Sequence, residues 1–98
     1  MRVKLLPPHP GETLKEDCLI PLGLSVNQLA KELGITAARL NEIVRGRRGI
    51  TADTALRLAR YFGTSAEFWL NLQSLYDLRM AQIKAGARIE RTVKPRAA

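Results

Sequence analysis

The sequence predicts an all-α domain of five helices, and three observations carry that expectation. Helix-start signals recur at short intervals: Ser25-x-x-Gln28, Thr36, Thr51 and Thr64-x-x-Glu67 each precede apolar residues at helical spacing. Glycines stand where those stretches end, at Gly34, Gly46 and Gly63. No segment shows the convincing alternation of a half-buried strand; Met1 to Leu6 is the only candidate, weak and unpaired.

Each helix follows from its own signals. In His9-Pro10-Gly11-Glu12 the proline suits a first helical turn, an acidic residue follows it, and Leu14, Cys18 and Leu19 continue at helical spacing. This first helix is expected to run to about Ile20, where Pro21 and Gly23 break the pattern. Ser25 and Gln28 form a capping box for the second helix, with Leu24 and Leu29 placed as a hydrophobic staple and Val26, Leu29, Ala30 and Leu33 as its buried stripe. Thr36 caps the third, flanked by Ile35 and Leu40 as staple, and Leu40, Ile43 and Val44 carry the stripe to Gly46. Thr51 caps the fourth, whose inward stripe is expected to be Ala55, Leu56, Leu58, Ala59 and Phe62. The fifth is expected from Ser65 to about Ala85, capped through Thr64-x-x-Glu67, with Phe68, Trp69, Leu72, Leu75, Tyr76 and Met80 inward and Leu70 and Leu78 off the stripe. The expected organisation is one domain over 1–85 and a basic, flexible tail over 86–98, where Pro95 intervenes.

Composition narrows the function. The chain has 98 residues, 46% of them hydrophobic and 26% charged, enough to build one core but with a thin margin that favours a partner subunit. The single cysteine, Cys18, excludes a disulfide framework and a multi-thiolate zinc cage and suits a reducing compartment. No apolar run reaches the roughly 18 residues of a membrane helix and no signal peptide is visible, so a cytoplasmic protein with no membrane partner is expected. Sixteen Lys and Arg against nine Asp and Glu give a net charge of +7, which favours a polyanionic partner. Residues 79–98 carry six basic groups and only Glu90, while Arg39, Arg45, Arg47 and Arg48 form a second basic cluster diluted only by Glu42.

No enzymatic constellation is visible and no cofactor or metal is implied. His9, the only histidine, lies beside two prolines with no nearby carboxylate but Glu12, which suits a helix start rather than catalysis. Cys18 on an apolar stripe reads as a small hydrophobe. Trp69 and its neighbours read as core rather than a ligand pocket. There is no phosphate-binding glycine loop and no catalytic serine motif.

Two helices joined by a turn of about three residues at Gly34 are the ingredients of a helix-turn-helix over about 25–45. Ala30 is small enough for a close crossing, and Leu40 plugs the interior from the second helix. If the third helix enters a major groove, Thr36, Ala37, Ala38, Arg39 and Asn41 at its leading end meet base edges. Arg39 would bridge guanine O6 and N7, Asn41 would pair with adenine, and the alanine methyls would pack on thymine methyl groups. The alternative for Arg39 is a phosphate contact or a surface ion pair with Glu42 or Glu32. Arg45, Arg47 and Arg48, at and beyond the end of that helix, are placed for the sugar-phosphate backbone. The unpaired amides that follow Ser25, with Asn27 and Gln28 as polar donors, offer a further phosphate site, unless Gln28 serves only as cap.

These residues carry a resemblance. The chain resembles the HigA (VapI-like) antitoxins of the phage-repressor-like (XRE-type) helix-turn-helix family. The resemblance spans roughly residues 8–80 and rests on His9-Pro10-Gly11-Glu12, the stretch from Leu24 to Gly34, Gly49-Ile50-Thr51-Ala52-Asp53-Thr54-Ala55-Leu56-Arg57-Leu58, and Phe68-Trp69-Leu70-Asn71-Leu72-Gln73. It implies a dimeric antitoxin that represses its own operon and neutralises a HigB-like toxin, a small ribosome-dependent mRNA endonuclease. In one position the chain departs from the pattern: phage-type repressors often carry Gln at the start of the second helix, where it contacts phosphate and braces a recognition residue, and here Val26 stands there. A dimer of this kind is expected to bind double-stranded DNA at an inverted-repeat operator, with recognition helices about 34 Å apart. A stand-alone transcription regulator is the first alternative. A small basic RNA-cleaving toxin is the second, and it lacks a visible sheet and catalytic set.

Overall fold

The computed structural model describes residues 8–97, and five helices follow one another in it. Helix α1 begins as Pro10–Leu14, continues through a π-helical stretch Lys15–Leu19 and closes as Ile20–Leu22. Then come α2 (Val26–Leu33), α3 (Ala37–Val44), α4 (Ala52–Phe62) and α5 (Ala66–Thr92). The strand candidate Met1 to Leu6 lies outside the described residues.

The start of α1 confirms the structural reading of His9. Its Nδ1 accepts a hydrogen bond from the Gly11 amide at 2.9 Å, so the imidazole is the N-cap, and its ring meets Tyr76 edge-on at 4.8 Å. Pro21 does not end the helix as expected. The ladder widens before it: the Ile20 amide reaches back to the Lys15 carbonyl, and the helix absorbs a residue with no amide hydrogen before ending at Gly23. Gly11 explains how closely α1 lies on α3. A Cβ built there would stand 1.8 Å from the Ile43 carbonyl oxygen, so only glycine lets the two backbones approach this far.

The core is formed by Leu14, Leu19, Leu29, Ala30, Leu33, Leu40, Ile43, Ile50, Ala55, Leu58 and Trp69. All five helices contribute to this one continuous apolar cluster, and α5 joins it through Trp69. The Trp69 indole N–H donates to Thr64 Oγ1 at 2.8 Å, which removes that hydroxyl from capping. The cap of α5 is accordingly Ser65, one residue later than the Thr64-x-x-Glu67 pattern suggested; its Oγ accepts from the Phe68 amide at 3.1 Å. Leu56 is 63% exposed, against expectation. At about 100° per residue it falls a full step from Ala55, and the inner face is completed instead by Thr54. Phe68 and Leu75 also point outward, and Leu70 packs on the core.

Helix α5 does not stop near Ala85. It continues to Thr92, 27 residues in all, or about 40 Å at 1.5 Å per residue. Its proximal part holds the core and the loop after α3. From Ala81 onward every described residue is exposed except the half-buried Ala85 and Gly86. No described helix is long and apolar enough to cross a membrane.

Candidate nucleic-acid interface

The turn between α2 and α3 is closed by backbone geometry. Gly34 takes φ 74°, a left-handed conformation that side chains with a Cβ rarely adopt, and the Ile35 amide donates back to the Ala30 carbonyl at 3.1 Å. Ala30 and Leu40 are both buried at this crossing, as the spacing required. The start of α2 is held by the reciprocal capping box: Ser25 Oγ accepts from the Gln28 amide at 3.1 Å, and Gln28 Oε1 accepts from the Ser25 amide at 2.8 Å. Ser25, Asn27 and Gln28 are exposed there. Val26, where a phage-type glutamine would stand, packs against the core.

The leading end of α3 faces solvent. Thr36 is exposed and caps the helix, its Oγ1 accepting from the Arg39 amide at 3.1 Å; Ala38 is exposed, and Asn41 is half-buried. Ala37 is half-buried and packs against the core, one helical turn before Leu40. Glu42 is a residue that sequence reasoning passed over as mere dilution of charge. It is half-buried, one turn after the exposed Ala38 and one before the exposed Arg45, and a carboxylate at such a place can accept from cytosine N4 and repels phosphate. The register of α3 contained that signal.

The basic loop after α3 is anchored at both ends. At its start the Arg47 amide donates to the Glu42 carbonyl at 2.8 Å and the Gly46 amide to the Ile43 carbonyl at 3.0 Å, a wrap that fixes the chain direction as the helix ends. At its far end the Ile50 amide donates to Gln73 Oε1 at 2.7 Å, and Gln73 Nε2 donates to Asp77 Oδ1 at 2.9 Å. Arg45 at the end of α3 and Arg47 and Arg48 in the loop are exposed. Behind it lies an open depression of about 450 Å³, lined in part by His9, Arg47, Arg48, Tyr76 and Asp77. Burial pushes the His9 imidazole below its ordinary value, with Asp77 acting in the opposite sense.

Arg39 is where the geometry departs most from the expectation. Its partner is neither Glu42 nor Glu32 but α4. Nη2 donates to Asp53 Oδ2 at 3.2 Å and to Thr54 Oγ1 at 2.7 Å, which commits both hydrogens of that nitrogen. A two-toothed grip on guanine needs Nη2, so in this conformation Arg39 offers DNA its Nη1 and Nε instead. Asp53 Oδ2 also accepts from Arg57 Nε at 2.9 Å, and Arg57 Nη1 donates to the Leu33 carbonyl at 2.8 Å, at the end of α2. The hydrogen bond from Arg57, with that from Arg39, holds the Asp53 carboxyl below the usual carboxylate range.

An outward-facing short helix, presented by a tight glycine turn and followed by an anchored arginine loop, is the arrangement of a helix-turn-helix DNA-binding protein. Residues 14–69 match the helix-turn-helix family model. The chain is 62% identical over 74 residues to virulence-associated protein I of Dichelobacter nodosus, covering 76% of this chain and 68% of that one. Its fold superposes on an addiction-module antidote protein of the HigA family from Coxiella burnetii with a TM-score of 0.89 and 53% identity, covering 94% of this chain and all of that one. It matches the Pseudomonas aeruginosa antitoxin HigA, solved with the higBA promoter, with a TM-score of 0.90 and 47% identity, covering 93% and 99% of the two chains. The chain belongs to the helix-turn-helix family and, within it, to the HigA antitoxins.

Proposed function

We propose that this protein is a dimeric antitoxin that represses its own operon and neutralises a HigB-like mRNA endonuclease. In the DNA-bound form α3 lies in the major groove. Thr36, Ala38, Arg39 and Asn41 meet base edges, and Arg45, Arg47 and Arg48, with Ser25, Asn27 and Gln28 at the start of α2, hold the backbone. The observation that carries this reading is the exposure of Thr36 and Ala38 at the leading turn of α3 together with that of Arg45, Arg47 and Arg48 after it, on a backbone locked at Gly34, at Gly46 and through Gln73. The promoter-bound relative from Pseudomonas aeruginosa supports the DNA half. The toxin half is supported by family membership.

The dimer is supported by α5. Leu75, Leu78 and Ile89 are exposed, and at 3.6 residues per turn they fall on one stripe of α5. Such a stripe on a helix running beyond the core suits a second copy of the chain, related by a two-fold axis that would also generate an inverted-repeat operator. The experiment is co-expression with the neighbouring reading frame followed by operator footprinting with and without the co-purified partner. Paired protected half-sites about one helical turn apart, and a basic partner whose RNA cleavage this chain suppresses, are expected. Protection without any partner would make the chain a stand-alone regulator, and no protection at all would refute the DNA reading.

A further inference from the structure

The Arg39–Asp53–Arg57 cluster links three parts of the fold that sequence separates. Asp53, on the first turn of α4, is 57% exposed, yet one of its oxygens receives guanidinium hydrogens from both Arg39 and Arg57. Arg39 reports to it from the recognition helix, and Arg57 ties it to the Leu33 carbonyl beside the turn. Thr54, the buried polar residue of the core, receives the other hydrogen of Arg39 Nη2 and is itself met by the Thr51 hydroxyl at 3.3 Å.

An exposed acid beside a DNA-facing surface is an odd placement, since it repels phosphate. Charge repulsion alone gives it no benefit to the interface. Orientation does. A free arginine samples many rotamers and loses that freedom on binding, whereas one already fixed at Nη2 meets its target with less entropy left to lose.

We propose that Asp53 is a specificity-determining positioning residue, which holds Arg39 so that its remaining donors meet one base edge and couples that aim to the α2–α3 turn through Arg57. The inference rests on the reading in which Arg39 touches bases. Asp53 itself touches no DNA. Its removal therefore has opposite effects on the two kinds of binding: discrimination falls as Arg39 loses its aim, while nonspecific affinity rises with the loss of a negative charge.

The test measures affinity of the full-length chain for its operator and for a scrambled duplex at one salt concentration. The variants are Asp53→Asn, Asp53→Ala, Arg39→Ala and the Asp53→Asn/Arg39→Ala pair, each checked for fold by circular dichroism. The operator-to-scrambled ratio should fall about 5- to 10-fold in either Asp53 variant, the lower part of what one base contact is worth. In the Arg39→Ala background, Asp53→Asn should lower the ratio no further. Equal gains on both DNAs would reduce Asp53 to a repulsive charge, and equal losses, or loss of fold in both variants, would reduce it to a structural residue. If Arg39→Ala lowers the ratio and the Asp53 variants do not, the brace alone is refuted. If Arg39→Ala leaves the ratio unchanged, base reading by Arg39 fails and the proposal fails with it.

Discussion

Gly11→Ala isolates the contact that seats the recognition helix. The added methyl would lie 1.8 Å from the Ile43 carbonyl oxygen, 2.7 Å from its carbon and 3.0 Å from the Val44 Cα, all backbone atoms of α3. Ordinary contact distances require the two helices to part by about 1.5 Å, and no side-chain rotamer relieves a clash with main chain. Overpacking usually costs about 1–3 kcal/mol, and an approach this close, against backbone, belongs at the top of that range. At about 4–8 °C per kcal/mol for a domain of this size, a loss of ~3 kcal/mol lowers the melting temperature by about 12–24 °C. Thermal denaturation followed at 222 nm reads the shift directly. Operator affinity measured well below the transition should fall as well, because the displaced element is α3 itself. A shift under about 3 °C with full operator binding would mean that α1 and α3 do not approach this closely, and the explanation of Gly11 would be wrong.

Three further perturbations test the remaining parts. Replacing Arg47 and Arg48 together with alanine should weaken binding to every DNA sequence and flatten the log–log salt dependence by about 0.9 for each phosphate that is no longer neutralised; an unchanged slope removes both from the footprint. His9 predicts a pH dependence. Its Nδ1 must stay unprotonated to accept from Gly11, and the folded chain holds its pKa below the ordinary 6.5, so the unfolded chain binds the proton more tightly. That contribution is complete above about pH 6.5 and is lost as pH falls through the lowered folded value, where burial opposes the proton and Asp77 favours it. Melting temperatures between pH 8 and 5.5 should decline in the wild type and stay flatter in His9→Asn, which keeps a capping oxygen that does not titrate; equal slopes would place the dependence elsewhere. Gly86→Ala probes the distal part of α5, where the nearest side-chain atom to an added Cβ is Gln82 Cβ at 4.0 Å. Alanine should strengthen the helix there by about 0.5–1 kcal/mol, raising helicity and slowing amide exchange around it. No change in either would argue that the segment beyond Ala85 is not helical in solution.

What the sequence revealed and what it hid divide by range. Caps and glycine stops are local chemistry within three or four residues, so Ser25, Thr36, Thr51, Gly34 and Gly63 could be placed without coordinates. The burial of Ala30, Leu40 and Trp69 followed from spacing. The misses came where a distant group captured a local signal. Thr64 looked like a cap until the Trp69 indole took its hydroxyl, and Pro21 looked like a stop until a π-helical stretch accommodated it. Hydrophobicity alone places Leu56 inward, whereas the helical angle from Ala55 and Leu58 places it outward, where it is found.

The Arg39 brace is the extreme case of that division. Its hydrogen bonds cross 14, 15 and 24 residues of sequence, and none of the five residues involved forms a recognisable pattern with another except the Asp53 and Arg57 pair one turn apart on α4. Reading Arg39 from α3 alone gives it five free donors and hence a two-toothed grip on guanine. Adding α4 removes one nitrogen from that inventory and fixes the direction of the rest. On the proposed role of Asp53, the base that Arg39 selects in this chain is set jointly by the recognition helix and by an acid on the helix after it. A recognition helix grafted onto a relative lacking an equivalent of Asp53 should therefore keep its affinity for DNA in general while losing part of its preference for one site. An operator selection on such a graft that returned the same consensus, with the same sharpness at the Arg39 position, would show that α3 alone determines the choice.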